Sequence, residues 1–251
     1  MDLILDNLQI PIELDGMDQY LKTASEKLGV VGKKLTIVKI LSKELDLRNK
    51  EEFFYKISIV VRIPSSFDNN GKFREYINET ETDRKSVNYK ERPIVIGFGP
   101  AGMFAALELI SYGIKPIIFE RGKRIEERSL DVKRFIIERK LEPDSNIQFG
   151  EGGAGSFSDG KLFSRRNRNT GYVSRVLDTF IKFGAPEEIG YISKPHLGTD
   201  VLCRIVANIR NYILKHGGQI HYSSKMTDIL ISGDKAFGVL INGDQEYRSS
   251  D

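Results

Sequence analysis

The sequence predicts an α/β protein in which a parallel sheet, doubly wound but incomplete, follows a small α+β domain. Three observations carry this expectation. Two short, wholly apolar runs, Ile94-Val95-Ile96 and Ile117-Ile118-Phe119, read as strands covered on both faces. Helix-periodic segments alternate with such runs from Pro93 onward, whereas the first 63 residues read strand, helix, strand, strand. A glycine-rich turn, Gly97–Gly102, lies where the first of the short strands meets a helix. The 251 residues are 40% apolar and 29% charged, which excludes a disordered tail, a collagen-like chain and a coiled coil.

Residues 1–63 are expected to form the α+β domain. Leu8, Ile10, Ile12 and Leu14 alternate as a half-buried strand does. Leu21, Ala24 and Leu28 recur at helical spacing, and Gly29 supplies the stop. Alternation returns at Leu35, Ile37, Lys39 and Leu41, and again from Tyr55 to Ile63, with charged Lys43 to Glu52 as the hairpin tip. Residues 64–92 turn polar and charged and are expected to be a linker, with one short helix near Phe73 to Ile77.

Residues 93–251 form the second expected domain. After the strand at Ile94–Ile96, Met103 to Ser111 reads as a helix ended by Gly113, and Ile117–Phe119 as the next strand. Ile125, Val132 and Phe135 mark a helix stripe, as do Val173, Val176, Leu177 and Phe180 before Gly184. A longer helix is expected from Asp200 to Lys215, with Thr199 as N-cap, Leu202, Ile205, Ile209 and Ile213 inward, and Gly217-Gly218 as its stop. Strands are expected at Ile220 to Tyr222, Met226 to Ile231 and Ala236 to Ile241. Half a doubly wound sheet leaves the strand at residues 94–97 on an open edge.

Gly97-Phe98-Gly99-Pro100-Ala101-Gly102 is G-x-G-x-x-G in the context that gives the pattern meaning, directly after a strand and opening a helix. Gly97 permits the tight turn, Gly99 lets a pyrophosphate approach the backbone, and Gly102 allows close helix–strand packing. The helix N-terminus adds free N–H groups for the anion. Glu120, about 20 residues further on at the end of the second strand, is placed to accept ribose hydroxyls. A carboxylate there argues against a ribose 2′-phosphate.

The second unusual segment runs from Phe149 to Lys161. Gly150, Gly152, Gly153, Ala154, Gly155 and Gly160 are too small to pack a core and offer backbone to a ligand, while Ser158, Asp159 and Lys161 add polar reach. Arg128 falls on the apolar stripe of its helix and must find a phosphate or a carboxylate such as Glu151, unless it snorkels at the stripe's edge. Lys161, Arg165, Arg166, Arg168 and Arg175 form a basic run, read mainly as a solvated loop. His196 is read chiefly as a structural loop histidine, with a proton-donor role as the alternative.

Several chemistries are excluded. Cys203 has no second cysteine for a disulfide or redox pair, so a reducing cytoplasm is the expected compartment. Three histidines and one cysteine form no metal-spaced cluster, and no G-x-S-x-G nucleophile motif occurs. No apolar run approaches the length of a membrane helix. A net charge of +3 does not call for nucleic acid.

The matching text runs from Val95 to Glu108, through Phe119-Glu120-Arg121-Gly122 and Asn146 to Leu162, to KPHLGTDVL at Lys194–Leu202. On these residues, 93–251 resembles the bacterial FAD-dependent dehydrogenases of the two-dinucleotide-binding flavoprotein type. Residues 1–63 look like the small domain that precedes them. The resemblance implies a Rossmann-like FAD-binding domain with Gly97, Gly99, Pro100, Ala101, Gly102, Glu120 and Arg121 on the ADP half of FAD. It also implies that Gly152, Gly153, Ser158, Asp159, Gly160 and Lys161 lie near the flavin or ribityl side, with Arg128 counted among the cofactor contacts. The adenine would lie against the backbone at Met226. A hydride exchanged with a small-molecule substrate, with NAD(P)H as a candidate electron donor, is the implied activity. Compared with the family, the sequence is expected to be C-terminally truncated. The rival expectations are an NAD-dependent dehydrogenase on the same turn, a non-catalytic nucleotide- or RNA-binding module using residues 161–175, and an inert remnant.

Overall fold

The computed structural model describes residues 1–30, 34–49, 51–77, 86, 87, 89, 92–162 and 171–248. Much of the expected linker and Arg165, Arg166 and Arg168 of the basic run lie outside the described residues. The chain is a mixed α/β protein with three sheets. It divides into two compact units, Met1–Thr82 with Leu162–Ile181 and Pro186–Pro195, and Asp83–Lys161 with Lys182–Ala185 and His196–Asp251.

The first unit is built on β1 (Asp2–Pro11), α1 (Met17–Leu28), β2 (Thr36–Asp46), β3 (Phe54–Arg62) and the two-residue β4 (Arg74–Glu75), in the sheet order β2-β3-β1-β4. The first strand begins six residues earlier than its alternation suggests. Leu3 and Leu5 are buried with Leu8 and Ile10, but a bulge between Leu5 and Leu8, with Asn7 at φ 55°, breaks the phase of the pattern. Ile12–Leu14 is a single 3-10 turn in place of the expected strand end. Tyr20, Ala24 and Leu28 of α1 pack with Ile57, Ile59 and Val61 of β3, and Gly29 caps the helix in the left-handed conformation. The short helix expected near Phe73 is instead β4, paired with β1 and positioned by the Asn69 side chain, which bonds both N–H and C=O of Phe73. Residues 186–195, placed by sequence in the second domain, belong to this unit because β2 captures them. Lys43 N–H donates to Tyr191 O (2.8 Å) and Ser193 N–H to Lys43 O (3.1 Å). Helix α4 (Gly171–Lys182) buries Leu177, while Val176 faces outward.

The second unit holds β5 (Ile94–Ile96), α2 (Pro100–Ser111), β6 (Ile117–Phe119), α3 (Ile125–Glu138), α5 (Thr199–Lys215) and β7 (Gln219–His221). Helix α5 starts at Thr199 with Gly198 as N-cap, one position before the expected cap. The three strands are parallel in the order β5-β6-β7, so β5 stands at an edge with Ile96 44% exposed. Two-sided covering of this sheet comes from an unexpected source. One face, through Val95, meets α2; on the other, Phe119, Ile94 and Ile117 pack against Val239, Ile241, Met226 and Tyr247. Those residues belong to an antiparallel meander of β8 (Met226–Ser232), β9 (Lys235–Ile241) and β10 (Gln245–Arg248). A doubly wound sheet carries helices on both faces; here strands replace them on one, and β10 had no forecast.

Candidate functional site

The site assembles where β5 ends. Gly97, at φ 87°, turns the chain and donates its N–H to Phe119 O at 2.8 Å. Pro100 opens α2, where its missing N–H costs nothing. A Cβ on Gly102 would overlap Gly97 O and touch Val95, so helix and strand approach as closely as this residue permits. The N–H groups of Gly99, Ala101 and Gly102 have no acceptor among the described residues. They point the positive end of the α2 dipole at the mouth of the turn.

The second glycine-rich segment lies against this turn. Gly152 N–H donates to Phe98 O at 2.8 Å, and a Cβ on Gly153 would press on Gly99 and Pro100. A Cβ on Gly99 would sit in ordinary contact with Gly153 Cα at 3.7 Å, so the two glycine segments face each other with room for little more than one carbon between them.

Glu120 is buried, and its carboxylate closes the turn from below. Oε2 accepts the N–H of Phe98 (2.7 Å) and Oε1 that of Gly122 (2.9 Å). A carboxylate has about four lone-pair sites, so capacity for hydroxyl donors remains. Glu120→Ala leaves two buried N–H groups unpaired and is expected to cost roughly 1–3 kcal/mol. Urea denaturation of the unliganded chain checks this; a midpoint equal to wild type would show that the clamp contributes nothing.

Arg128 is spent differently from the expectation. Its fully buried guanidinium neither awaits a phosphate nor pairs with the Glu151 carboxylate. Nε donates to Asn146 O (2.8 Å), Nη2 to Ile147 O (2.9 Å), and Nη1 to the carbonyls of Glu151 (2.6 Å), Gly153 (2.9 Å) and Gly150 (3.3 Å). Burial pushes its pKa down to about 10, still cationic at neutral pH. Gly150 is glycine because a Cβ there would overlap the Arg128 side chain.

Glu151 is held by a network that the sequence reading missed. Oε2 accepts from Ile125 N–H at the start of α3 and from Arg210 Nη1, both at 2.7 Å, while Oε1 accepts from Tyr222 Oη at 2.6 Å. Arg210 also grips Glu126 through two bonds of 3.0 and 2.7 Å. Burial pushes the Glu151 carboxyl above its usual range and the Tyr222 phenol up as well, and the Arg210 bond lowers Glu126. The signal was present: Val206, Arg210 and Ile213 share one buried stripe of α5.

The remaining predicted residues have other partners. Arg121 pairs with Asp144 and lies 4.0 Å over the Phe149 ring centroid. Ser158 donates to Gly155 O, and exposed Asp159 pairs with Lys161 at 2.7 Å. Gly160 packs on Leu197, and Lys161 bridges to His196, which is exposed. Among the described residues, no hydrogen bond or ion pair joins residues 158–161 to Gly97–Gly102. Met226 opens β8, packed in the Phe119 cluster. A cavity of about 370 Å³ flanks it, lined among others by Arg121, Gly122, Lys225 and Thr227.

Strand, glycine turn, helix and a carboxylate at the next strand's end form a βαβ unit whose turn leaves N–H groups unspent. No family model matches the sequence. A protein of Clostridium beijerinckii, described as uncharacterized, is 38% identical over 251 residues, covering 97% of this chain and 46% of that protein. The chain therefore spans about half the length of this relative. Among solved structures, Thermovibrio ammonificans THI4 aligns over 61% of this chain and 47% of its own, at 16% identity and a TM-score of 0.38. Glycine oxidase from Bacillus cereus aligns over 62% and 52%, at 15% identity and a TM-score of 0.31. L-amino acid deaminase from Proteus vulgaris aligns over 67% and 47%, at 11% and 0.31. Among the described residues, no helix is long and apolar enough to cross a membrane, and no cluster of three ligating side chains would hold a metal.

Proposed function

We propose that this chain binds FAD and belongs to an oxidoreductase whose substrate is not assigned. The observation that supports it most is the set of unspent N–H groups of Gly99, Ala101 and Gly102 at the first turn of α2, with the all-glycine Gly152-Gly153 pair packed beside them. A pyrophosphate suits that cradle: it needs close backbone approach and several unspent donors, and both are present. Gly99, Ala101 and Gly102 would hold the phosphates and Glu120 the adenosine ribose. The resemblance across residues 93–251 favours flavin over a nicotinamide cofactor. When bound, FAD supplies reversible hydride transfer; the protein's part is to orient it and to limit water. Arg128 and Glu151 act one step back, holding the loop that faces Gly99.

Calorimetric titration with FAD, NAD and ADP tests the assignment, with FAD expected to bind tightest. NAD binding as tightly as FAD would overturn the flavin reading. Gly99→Val is the accompanying variant. Gly99 has an ordinary extended backbone at φ −82°, so valine does not strain its φ, but its γ-carbons crowd the space beside Gly153 that the phosphates would share. FAD affinity is expected to fall more than about tenfold, 1.4 kcal/mol or above, with far-UV circular dichroism unchanged. Full FAD affinity in this variant would move the cofactor off the turn.

A further inference from the structure

The cavity beside Arg121 carries a buried hydroxyl whose chemistry is unspent. Ser145 is 2% exposed and lines the cavity, and its Oγ has no hydrogen-bond partner. Two neighbouring side chains of the wall are satisfied. Asn242 accepts from Lys225 N–H and donates to Ser223 O, and Thr227 Oγ1 donates to Leu240 O and accepts from Gly243 N–H. A buried hydroxyl without a partner destabilises the fold, so Ser145 stands out in this wall.

The charges of the cavity say which class of ligand suits it. Arg121 pairs with Asp144, Lys123 with Asp131 at 2.9 Å, and Lys225 lies 3.9 Å from Asp144, while Glu142 adds a further negative group. Each cation is already matched, so the cavity is poorly suited to a phosphate and well suited to a neutral polar ring. Arg121 offers the surface for one: its guanidinium lies on the Phe149 ring and is held at its edge by Asp144. A planar cation fixed in this way can stack a heteroaromatic base on its other face. The cavity adjoins the Glu120 clamp directly, since Gly122 lines the first and donates to the second.

We propose that the Ser145 hydroxyl reads the polar edge of a purine base stacked on Arg121, and so determines which nucleotide the site prefers. This rests on the nucleotide-binding reading of the glycine turn. The hydroxyl left unpaired in the free chain becomes a hydrogen bond in the complex. Its removal therefore acts in opposite directions on the free and bound states.

The test compares the wild-type chain with Ser145→Ala by thermal unfolding without ligand, and by titration with ADP and with inorganic pyrophosphate. Ser145→Ala is expected to unfold at the same temperature as wild type or above it. Its ADP affinity is expected to fall about fivefold, as for one neutral hydrogen bond, with pyrophosphate affinity unchanged. Ser145→Cys, a weak donor of similar volume, should lie close to the alanine variant. Wild-type ADP affinity in Ser145→Ala would overturn the proposal and leave the nucleotide reading standing. Equal losses for ADP and pyrophosphate, or a lower unfolding temperature, would assign Ser145 a purely structural role and overturn it too. A wild-type chain that binds neither ADP nor FAD would remove both readings.

Discussion

Arg128→Met is expected to cost more than about 4 kcal/mol of stability, the largest effect of any single change in the second unit. The methionine fills the volume of the arginine stem but takes the guanidinium from the carbonyls of Asn146, Ile147, Gly150, Glu151 and Gly153; Gly150 O and Gly153 O keep the N–H groups of Gly153 and Ser156, and the other three have no second donor among the described residues. Those carbonyls all point at one cation, and its loss leaves three of them unpaired inside a buried loop. Arg128→Lys is not expected to rescue the loss, because an ammonium is a compact point with three donors where the loop is shaped around a planar fork. Urea denaturation measures the cost, and ADP titration under native conditions reports whether the loop still faces Gly99. A loss below about 1 kcal/mol would mean that the loop holds itself together.

Arg210→Met comes next, with an expected loss of about 3–5 kcal/mol from stripping a buried carboxylate of its cation. This loss carries a pH signature. The Glu151 carboxyl already lies above its usual range through burial, and removing Arg210 raises it further. A carboxyl whose folded-state pKa exceeds its unfolded value favours the fold at low pH and penalises it as pH rises through the folded value. Glu126, lowered by the same arginine, loses its depressed pKa in the variant, which acts in the same direction. The deficit of Arg210→Met against wild type should therefore be largest at neutral pH and shrink as the carboxyls protonate. Denaturation across that range checks the sign. A deficit that grows on acidification would contradict the network as described. Glu151→Gln combined with Arg210→Met should cost less than the two single changes added together, since both break one contact.

Local signals carried the elements that local physics decides. Gly29, Gly97 and Gly113 mark turns because their positive φ values, 68°, 87° and 77°, suit glycine whatever lies around them. The strands at Ile94–Ile96 and Ile117–Phe119 could be read because parallel strands packed on two faces are apolar throughout, even though the first lies at the sheet edge and is only half-buried. What covers their second face could not, since Val239 and Tyr247 reach Phe119 across more than 100 residues of sequence. The glycine-rich block was legible as unusual but not as packed: its glycines make room for Arg128, for Ser156 and for one another as much as for any ligand. Arg128 was visible as an inward charge, yet backbone carbonyls leave no mark in a sequence, so its partners were assigned to phosphate or carboxylate. β4 was hidden for a similar reason, because two residues pair with β1 only once Asn69 has bent the chain.

The two units are interleaved along the chain. Residues of the first recur at Leu162–Ile181 and Pro186–Pro195, on either side of a short stretch of the second. No single peptide-bond scission can therefore release either body whole. Cleavage within residues 83–161 would leave two fragments, each holding pieces of both units and associated only without covalent linkage. An expressed piece ending near Ile63 would lack the segment that pairs with Lys43 and would expose that edge of β2.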